Sequence, residues 1–333
     1  GTSPFLSYEV VSGVPGNPQN GLVNGDRMVG ALSTDKNRPI SQTDVGTHRI
    51  TLGTLSAGSN YTIQAFNSAN LVITRRPLTI TAQAVTQVYG DATPALTYTL
   101  GFGDSLVNGN TLSGALSTQA SPTRGVGIYP ITSTLTAGNN YQITYVGANA
   151  TITKRPLTIT ALNADRYYGD GNPAFAYLVG GRGLVNGDGL TGSLTSSATV
   201  RSNVGRYAIT QGSLVASSNY QVSYNGAFLD VVRRPIVITP TTVERTYGDT
   251  VPDYIFTRGV KSRSLPFTVS GITQGFTTLT GLVNGDALVG ELGTNATSTS
   301  EVGQYSITLG TMADSNPNYR LLIDNAFVLV RPQ

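Results

Sequence analysis

The landmarks of this chain return every 79 residues, and that period constrains its fold more than any other feature. Pro77, Pro156 and Pro235 are 79 apart, as are Tyr89, Tyr168 and Tyr247. The prolines sit in near-identical stretches: TRRPLTIT at 74–81, TKRPLTIT at 153–160 and VRRPIVIT at 232–239. A fixed period of this kind marks a tandem array. A unit of this length lies at the small end of domain size, where the core is small.

Four further landmarks recur. YGD with a following proline occurs at Tyr89 with Pro94, Tyr168 with Pro173, and Tyr247 with Pro252. LVNG starts at Leu22, Leu106, Leu184 and Leu282; a Val-Gly step at Val45, Val126, Val204 and Val302; Asn-Tyr at Asn60, Asn140, Asn219 and Asn318. These divide the chain into four repeats, 1–76, 77–155, 156–234 and 235–333. Proline lacks a backbone donor and biases its predecessor to extended geometry. The Arg-Pro pair therefore ends one repeat and starts the next without a flexible loop, and the array is expected to be a rod.

The repeats are not equal. Repeat 1 lacks the LTIT strand and YGD, and its Pro4 and Tyr8 match Pro94 and Tyr98. It is expected to show an unpaired sheet edge, with residues upstream of Gly1 supplying the strand. Repeat 4 carries about 19 extra residues, placed at 258–281 by the spacing of its landmarks.

Apolar residues occur in short alternating runs, a strand pattern. In repeat 2 strands are expected at 78–82, 95–100 and 127–135, with one short helical turn within 105–117. Residues 141–146 and 150–154 read as a hairpin. The fold class is mainly β: a linear array of four small β-rich repeat domains with at most one short helix each. Each is a β-grasp-like two-layer unit or, alternatively, an Ig-like sandwich. Opposite poles for the two chain ends favour parallel pairing of first and last strands.

Charged residues are only 12% of the chain and its net charge is +3, without a dense basic run. That disfavours nucleic acid as a partner. There is no cysteine, which removes disulfides and thiolate metal sites. No apolar run approaches the roughly 18 residues of a membrane span.

Chemistry is sparse. His48, the single histidine, stands three residues after its Val-Gly step, where Tyr129, Tyr207 and Tyr305 stand elsewhere. It reads as structural. Asp26, Asp188 and Asp286 follow LVNG, with Asn110 in the same position. They read as turn residues rather than calcium ligands, and Asp91, Asp170 and Asp249 of YGD read the same way. All but one of the 17 tyrosines recur in repeat positions, including a set of Tyr8, Tyr98, Tyr177 and Tyr254, which favours core over ligand contact. The Gly-rich run at 180–183 is a turn. No paired carboxylates suggest a glycosidase, so no enzyme activity and no cofactor are expected. The insertion is the one feature that the period leaves unexplained. Its Arg258, Lys261, Arg263, Phe267 and Phe276 are the candidate ligand-binding residues.

YGD-x-x-P, LVNGD, the VGxY step and RPLTIT together resemble tandem MBG domains of the YGX type. The resemblance covers essentially the whole chain. Such domains occur in large bacterial surface exoproteins, notably filamentous-haemagglutinin-like adhesins exported by two-partner secretion. The resemblance implies a secreted or cell-surface adhesin or biofilm-matrix segment, acting as a stalk or, alternatively, binding a glycan or protein through the repeat 4 insertion. Polysaccharide or a host or bacterial surface glycan is the expected partner. No membrane insertion is expected, and the segment should be a monomeric rod within a larger exoprotein.

Overall fold

The alternation in Arg-Pro-Leu-Thr-Ile-Thr-Ala builds the central strand of a sheet. In the computed structural model Arg76–Ala82 is a strand whose Leu78, Ile80 and Ala82 are buried, while Thr79 and Thr81 on the other face are half-buried. Burying each large aliphatic side chain contributes about 1.5–3 kcal/mol. The structure describes residues 5–11, 21–36, 39–249, 267–274, 277–279, 281–314 and 316–333. The chain divides into two compact units, Gly1–Thr153 and Lys154–Gln333. Unit 1 holds repeats 1 and 2, and unit 2 holds repeats 3 and 4.

Repeat 2 has seven strands: Arg76–Ala82, Val85–Val88, Tyr98–Leu100, Leu116–Thr118, Gly127–Ser133, Tyr141–Val146 and Ala148–Thr153. The first lies between the third, antiparallel, and the sixth, parallel. The other sheet runs second, seventh, fifth, fourth, with the second parallel to the seventh. Repeats 3 and 4 keep both orders, with first strands Arg155–Ala161 and Arg234–Pro240. Pro77 and Pro156 are tolerated within first strands because the antiparallel neighbours start only at Ile80 and Leu157. In unit 2, Ile159 of the first strand and Ile209 and Leu229 of the other sheet share one apolar core, which continues into repeat 4 through Tyr319, Ile238 and Val328.

Three expectations change. The sixth and seventh strands are not a hairpin. They belong to different sheets, with Gly147 or Gly226 at the crossing, and the Tyr145 and Tyr224 hydroxyls bind fifth-strand carbonyls nearby, at 2.7 and 2.9 Å. Parallel pairing joins first to sixth and second to seventh, not first to last. No helical turn forms within 105–117. Among the described residues, helix is confined to the 3-10 turns Ile40–Gln42 and Gly310–Asp314, and no helix is long and apolar enough to cross a membrane.

Repeat 1 forms one three-stranded sheet, Ser33–Thr34, Gly46–Thr51 and Asn70–Ile73, in chain order. These correspond to the fourth, fifth and seventh strands. Among the described residues nothing pairs with the outer side of Asn70–Ile73, the side that the second strand takes in the complete repeats.

The insertion of repeat 4 enters at two places rather than one. Phe267–Ser270 pairs with the first strand, and Phe267 lies opposite Pro240 as Tyr177 lies opposite Ala161. Phe267, not Tyr254, therefore fills the tyrosine position. Tyr247 to Phe267 spans 20 residues where Tyr168 to Tyr177 spans nine, and Phe267 to Leu282 spans 15 where Tyr177 to Leu184 spans seven. The second addition includes the two-stranded ribbon Thr273–Gln274 and Thr277–Thr278.

Ile159 has no exposed surface. Ile159→Ala is expected to destabilise unit 2 by about 2–5 kcal/mol, whereas Gln221→Ala on the exposed face of the sixth strand should change stability by no more than about 0.5 kcal/mol. Urea unfolding followed by circular dichroism checks both.

Candidate functional site at the joint between repeats

The landmarks with no evident chemistry meet where one repeat contacts the next. The LVNG turn comes first. Its Asn24, Asn108, Asn186 and Asn284 adopt φ of 56–57°, and the glycine after each is also left-handed. Asparagine tolerates that backbone and glycine adopts it without strain. The Asp that follows is therefore not the left-handed residue, and it has a separate role. The tyrosine of Asn-Tyr closes on this turn. Its hydroxyl accepts from the Val N–H of LVNG at 3.0 Å in repeat 1, 2.8 Å in repeat 2, and 3.0 Å in repeats 3 and 4. It donates to Asp26 at 2.7 Å, Asp188 at 2.8 Å and Asp286 at 2.9 Å. In repeat 2 the direction reverses, and Asn110 Nδ2 donates to Tyr141 at 3.3 Å. A hydroxyl both donates and accepts, so Asp and Asn serve equally there. Among the described residues no group of three acidic or histidine side chains is placed to hold a metal.

The asparagine beside that tyrosine points the other way, onto the preceding repeat. In unit 1, Asn140 Oδ1 accepts from Val45 N–H and its Nδ2 donates to Asp44 Oδ1, both at 2.9 Å. In unit 2, Asn318 Oδ1 accepts from Val204 N–H at 2.9 Å and its Nδ2 donates to Asn203 at 3.0 Å. The asparagine of LVNG adds a second tie. Asn108 Nδ2 donates to the Ser41 carbonyl at 2.8 Å, and Asn284 Nδ2 to the Val200 carbonyl at 3.0 Å. Ser41 and Val200 each lie four residues before the Val-Gly step. Both units thus contain the same polar joint.

Unit 2 adds an apolar half. Tyr168 of YGD meets Tyr319 edge to face, with ring centroids 5.6 Å apart. Gly169, at φ +86°, lies so close to Val283 that an added Cβ would be 2.2 Å from its Cγ2. Arg234 of the Arg-Pro pair is buried and donates to the Tyr168 carbonyl at 3.2 Å, to Asp170 at 2.6 Å and to the Gly281 carbonyl at 3.3 Å. A buried guanidinium requires such partners. Tyr168 is 4% exposed, whereas Tyr247, with no such ring contact among the described residues, is 44% exposed. Repeat 1 has no YGD, and in unit 1 Arg76 donates to Ser105 of its own repeat.

A second set of residues escaped the sequence analysis. Gln87, Arg166 and Arg245 occupy one buried position in the second strands. Gln87 Nε2 and Arg245 Nη1 donate to the carbonyls of Asp91 and Asp249, and Arg166 donates to Asn172, Tyr167 and Thr199. Their signal was a single polar residue at an inward position of an otherwise alternating strand. His48 behaves as a tyrosine substitute: its Nε2 lies 2.7 Å from the Asp44 carbonyl, as the Tyr129, Tyr207 and Tyr305 hydroxyls donate to the carbonyl four residues back.

Of the candidate ligand-binding residues, Arg258, Lys261, Arg263 and Phe276 lie outside the described residues. Phe267 is half-buried in a strand and packs against the unit 2 core. A cleft of about 520 Å³ opens at the unit 1 joint beside Thr43, Asn108 and Asn140. Its single aromatic, Tyr141, is buried and presents no open ring face.

A family model described as MBG domain (YGX type) matches residues 78–151, 157–230 and 236–327, three tandem copies covering most of the chain. Residues 1–76 lie outside these matches, in agreement with the partial sheet set of repeat 1. No curated protein matches the chain.

Gly169→Val is expected to destabilise the unit 2 joint by about 2–4 kcal/mol through strain and overpacking. Asn318→Ala should cost about 1–3 kcal/mol. Hydrogen exchange resolved by peptide should show both losses in unit 2, with unit 1 protection unchanged. Burial pushes the Tyr319 phenol up to about 12, against the lowering by the Val283 N–H and with Asp286 adding to the rise. The unfolded phenol ionises near pH 10. The stabilisation is therefore full below about pH 10 and is lost as pH rises toward 12. Alkaline unfolding of unit 2 should be shallower across that window in Tyr319→Phe.

Proposed function

The chain belongs to the MBG domain (YGX type) family, and we propose that it is a repeat segment of a secreted bacterial surface adhesin or biofilm-matrix protein, acting as a stiff spacer. The observation that carries this reading is the joint. Two asparagines of one repeat hold the same two positions of the preceding repeat in both units, and in unit 2 a glycine is reserved for close packing with the next repeat. A joint that repeats its geometry resists bending because bending breaks side-chain hydrogen bonds that have no slack. Tandem domains joined only by a linker would move freely.

The proposed role calls for no catalysis and no cofactor. The recurring acidic side chains Asp26, Asp188, Asp286 and Asp170 already have structural hydrogen-bond partners. The spacer is proposed to act outside the cell as a monomer, carrying a glycan-binding region away from the surface without inserting into a membrane or binding nucleic acid. A second reading places a short polysaccharide in the unit 1 joint cleft, where amide side chains cluster. The absence of an open aromatic face there ranks it below the spacer.

The absence of cysteine makes spin labelling clean. Labels at Ser223→Cys in repeat 3 and Ser306→Cys in repeat 4, both exposed positions, should give a narrow distance distribution by pulsed electron resonance. Adding Gly169→Val should broaden it. A broad distribution in the otherwise native chain would remove the stiffness on which the spacer reading rests.

A further inference from the structure

In each complete repeat the segment that enters and the segment that leaves lie side by side. In repeat 3 the first strand pairs in parallel with the sixth, from Arg155 opposite Tyr220 to Thr160 opposite Asn225. The second strand pairs in parallel with the seventh, from Ala164 opposite Leu229 to Tyr167 opposite Val232. Tyr220 minus Arg155 and Leu229 minus Ala164 are both 65, although the two pairings belong to different sheets. Repeat 2 keeps the same offset of 65 in both of its pairings, from Arg76 opposite Tyr141 to Val88 opposite Thr153. Repeat 4 keeps a single offset of 85, because its added residues lie between the partners. Residues 155–167 and 220–232 are thus two long strands that pass together from one sheet to the other without losing register.

Side chains hold that register where the strands cross. Asn163 Oδ1 accepts from the Phe228 N–H at 2.9 Å, and these two residues keep the offset of the strands around them. Asn225 Nδ2 donates to Thr160 Oγ1 at 3.3 Å. In repeat 4 Thr242 Oγ1 takes the place of Asn163 and accepts from the Phe327 N–H at 3.4 Å. Backbone bonds close both ends of the pairing in repeat 3. The Arg155 N–H donates to the Asn219 carbonyl and the Tyr168 N–H to the Val232 carbonyl, both at 2.9 Å. One residue, Arg233, separates the seventh strand of repeat 3 from the first strand of repeat 4. A pull along the chain therefore passes from strand to strand with no slack between them.

We propose that each complete repeat is a mechanical clamp that bears tension along the chain, an inference that deepens the spacer reading and rests on it. Tension draws the first strand out by its N-terminal end and the seventh by its C-terminal end. The two long strands run parallel, so these pulls slide one past the other. The ladder hydrogen bonds run between the strands, and sliding loads the six register pairs of the first ladder and the four of the second together. No bond can break alone, so failure is cooperative. Forced unfolding is governed by that barrier rather than by equilibrium stability. The fifth and seventh strands supply the contrast within the same repeat. They are antiparallel, with Gly205 opposite Val231, so Arg201 before the fifth and Arg233 after the seventh flank the same end of the pair. Drawing those two apart opens the pair one bond at a time.

The test pulls repeat 3 within the full chain in optical tweezers. The chain has no cysteine, so cysteines introduced at exposed positions carry the handles uniquely. Lys154→Cys with Arg233→Cys loads the repeat lengthwise, and Arg201→Cys with Arg233→Cys loads it across. At one loading rate the lengthwise pair should open at a force about threefold higher or more, in a single step. Arg233 minus Lys154 is 79, so that step releases up to about 280 Å of chain before the folded span is subtracted. Equal forces in the two geometries, or lengthwise opening in a series of small steps, overturns the clamp. Stiffness is read separately, from the distance distribution between the labels in repeats 3 and 4. A chain that keeps a narrow distribution yet opens lengthwise at the lower force loses the clamp and retains the spacer reading.

Discussion

The parallel pairing of the first strand with the sixth is the interaction on which each repeat depends. It is non-local: the partners lie more than 60 residues apart, as Arg76 and Tyr141 do. It places the first strand at the centre of its sheet, buries the aliphatic pair on its inward face and sets the sixth-strand tyrosine over the LVNG turn. The tyrosine clamp does not need that pairing: in repeat 1, where residues 61–66 form no strand, Tyr61 still holds Val23 and Asp26.

The joint is built from residues that also terminate elements. Asn140 and Asn318 reach the preceding repeat with their side chains while their carbonyls accept from Arg76 and Arg234 at the start of the first strand. One residue thus aligns the neighbouring repeat and the sheet of its own. The two joints described differ in one respect. Both units have the amide ties, and unit 2 adds Tyr168 against Tyr319 and Gly169 against Val283, so its core runs on from repeat 3 to repeat 4.

Much of this was legible in the sequence, because periodic spacing exposes structural positions without specifying their contacts. The first strand, the turns at YGD and LVNG and the tyrosine equivalent of His48 all follow from repeated spacing and residue type. The hairpin at 141–154 was misread because alternation reports which face a residue occupies and not which sheet its strand joins. A glycine at the crossing resembles a glycine in a turn. The insertion was placed as one block because spacing between landmarks sums additions on either side of a strand. Phe267 looked foreign only because Tyr254 seemed to fill its position. The arginine of Arg-Pro was overlooked beside its proline: its value lies in carbonyls and a carboxylate brought close by folding.

Each complete repeat carries both halves of the joint in its own sequence, the reaching asparagines on one side and the receiving Val-Gly loop and YGD turn on the other. Within each unit the contact is heterologous, the two repeats presenting different surfaces to each other. Duplicating one whole repeat in a gene therefore copies a matched pair of joint surfaces along with it. Length in such a protein can evolve in steps of one repeat without any new surface having to be invented.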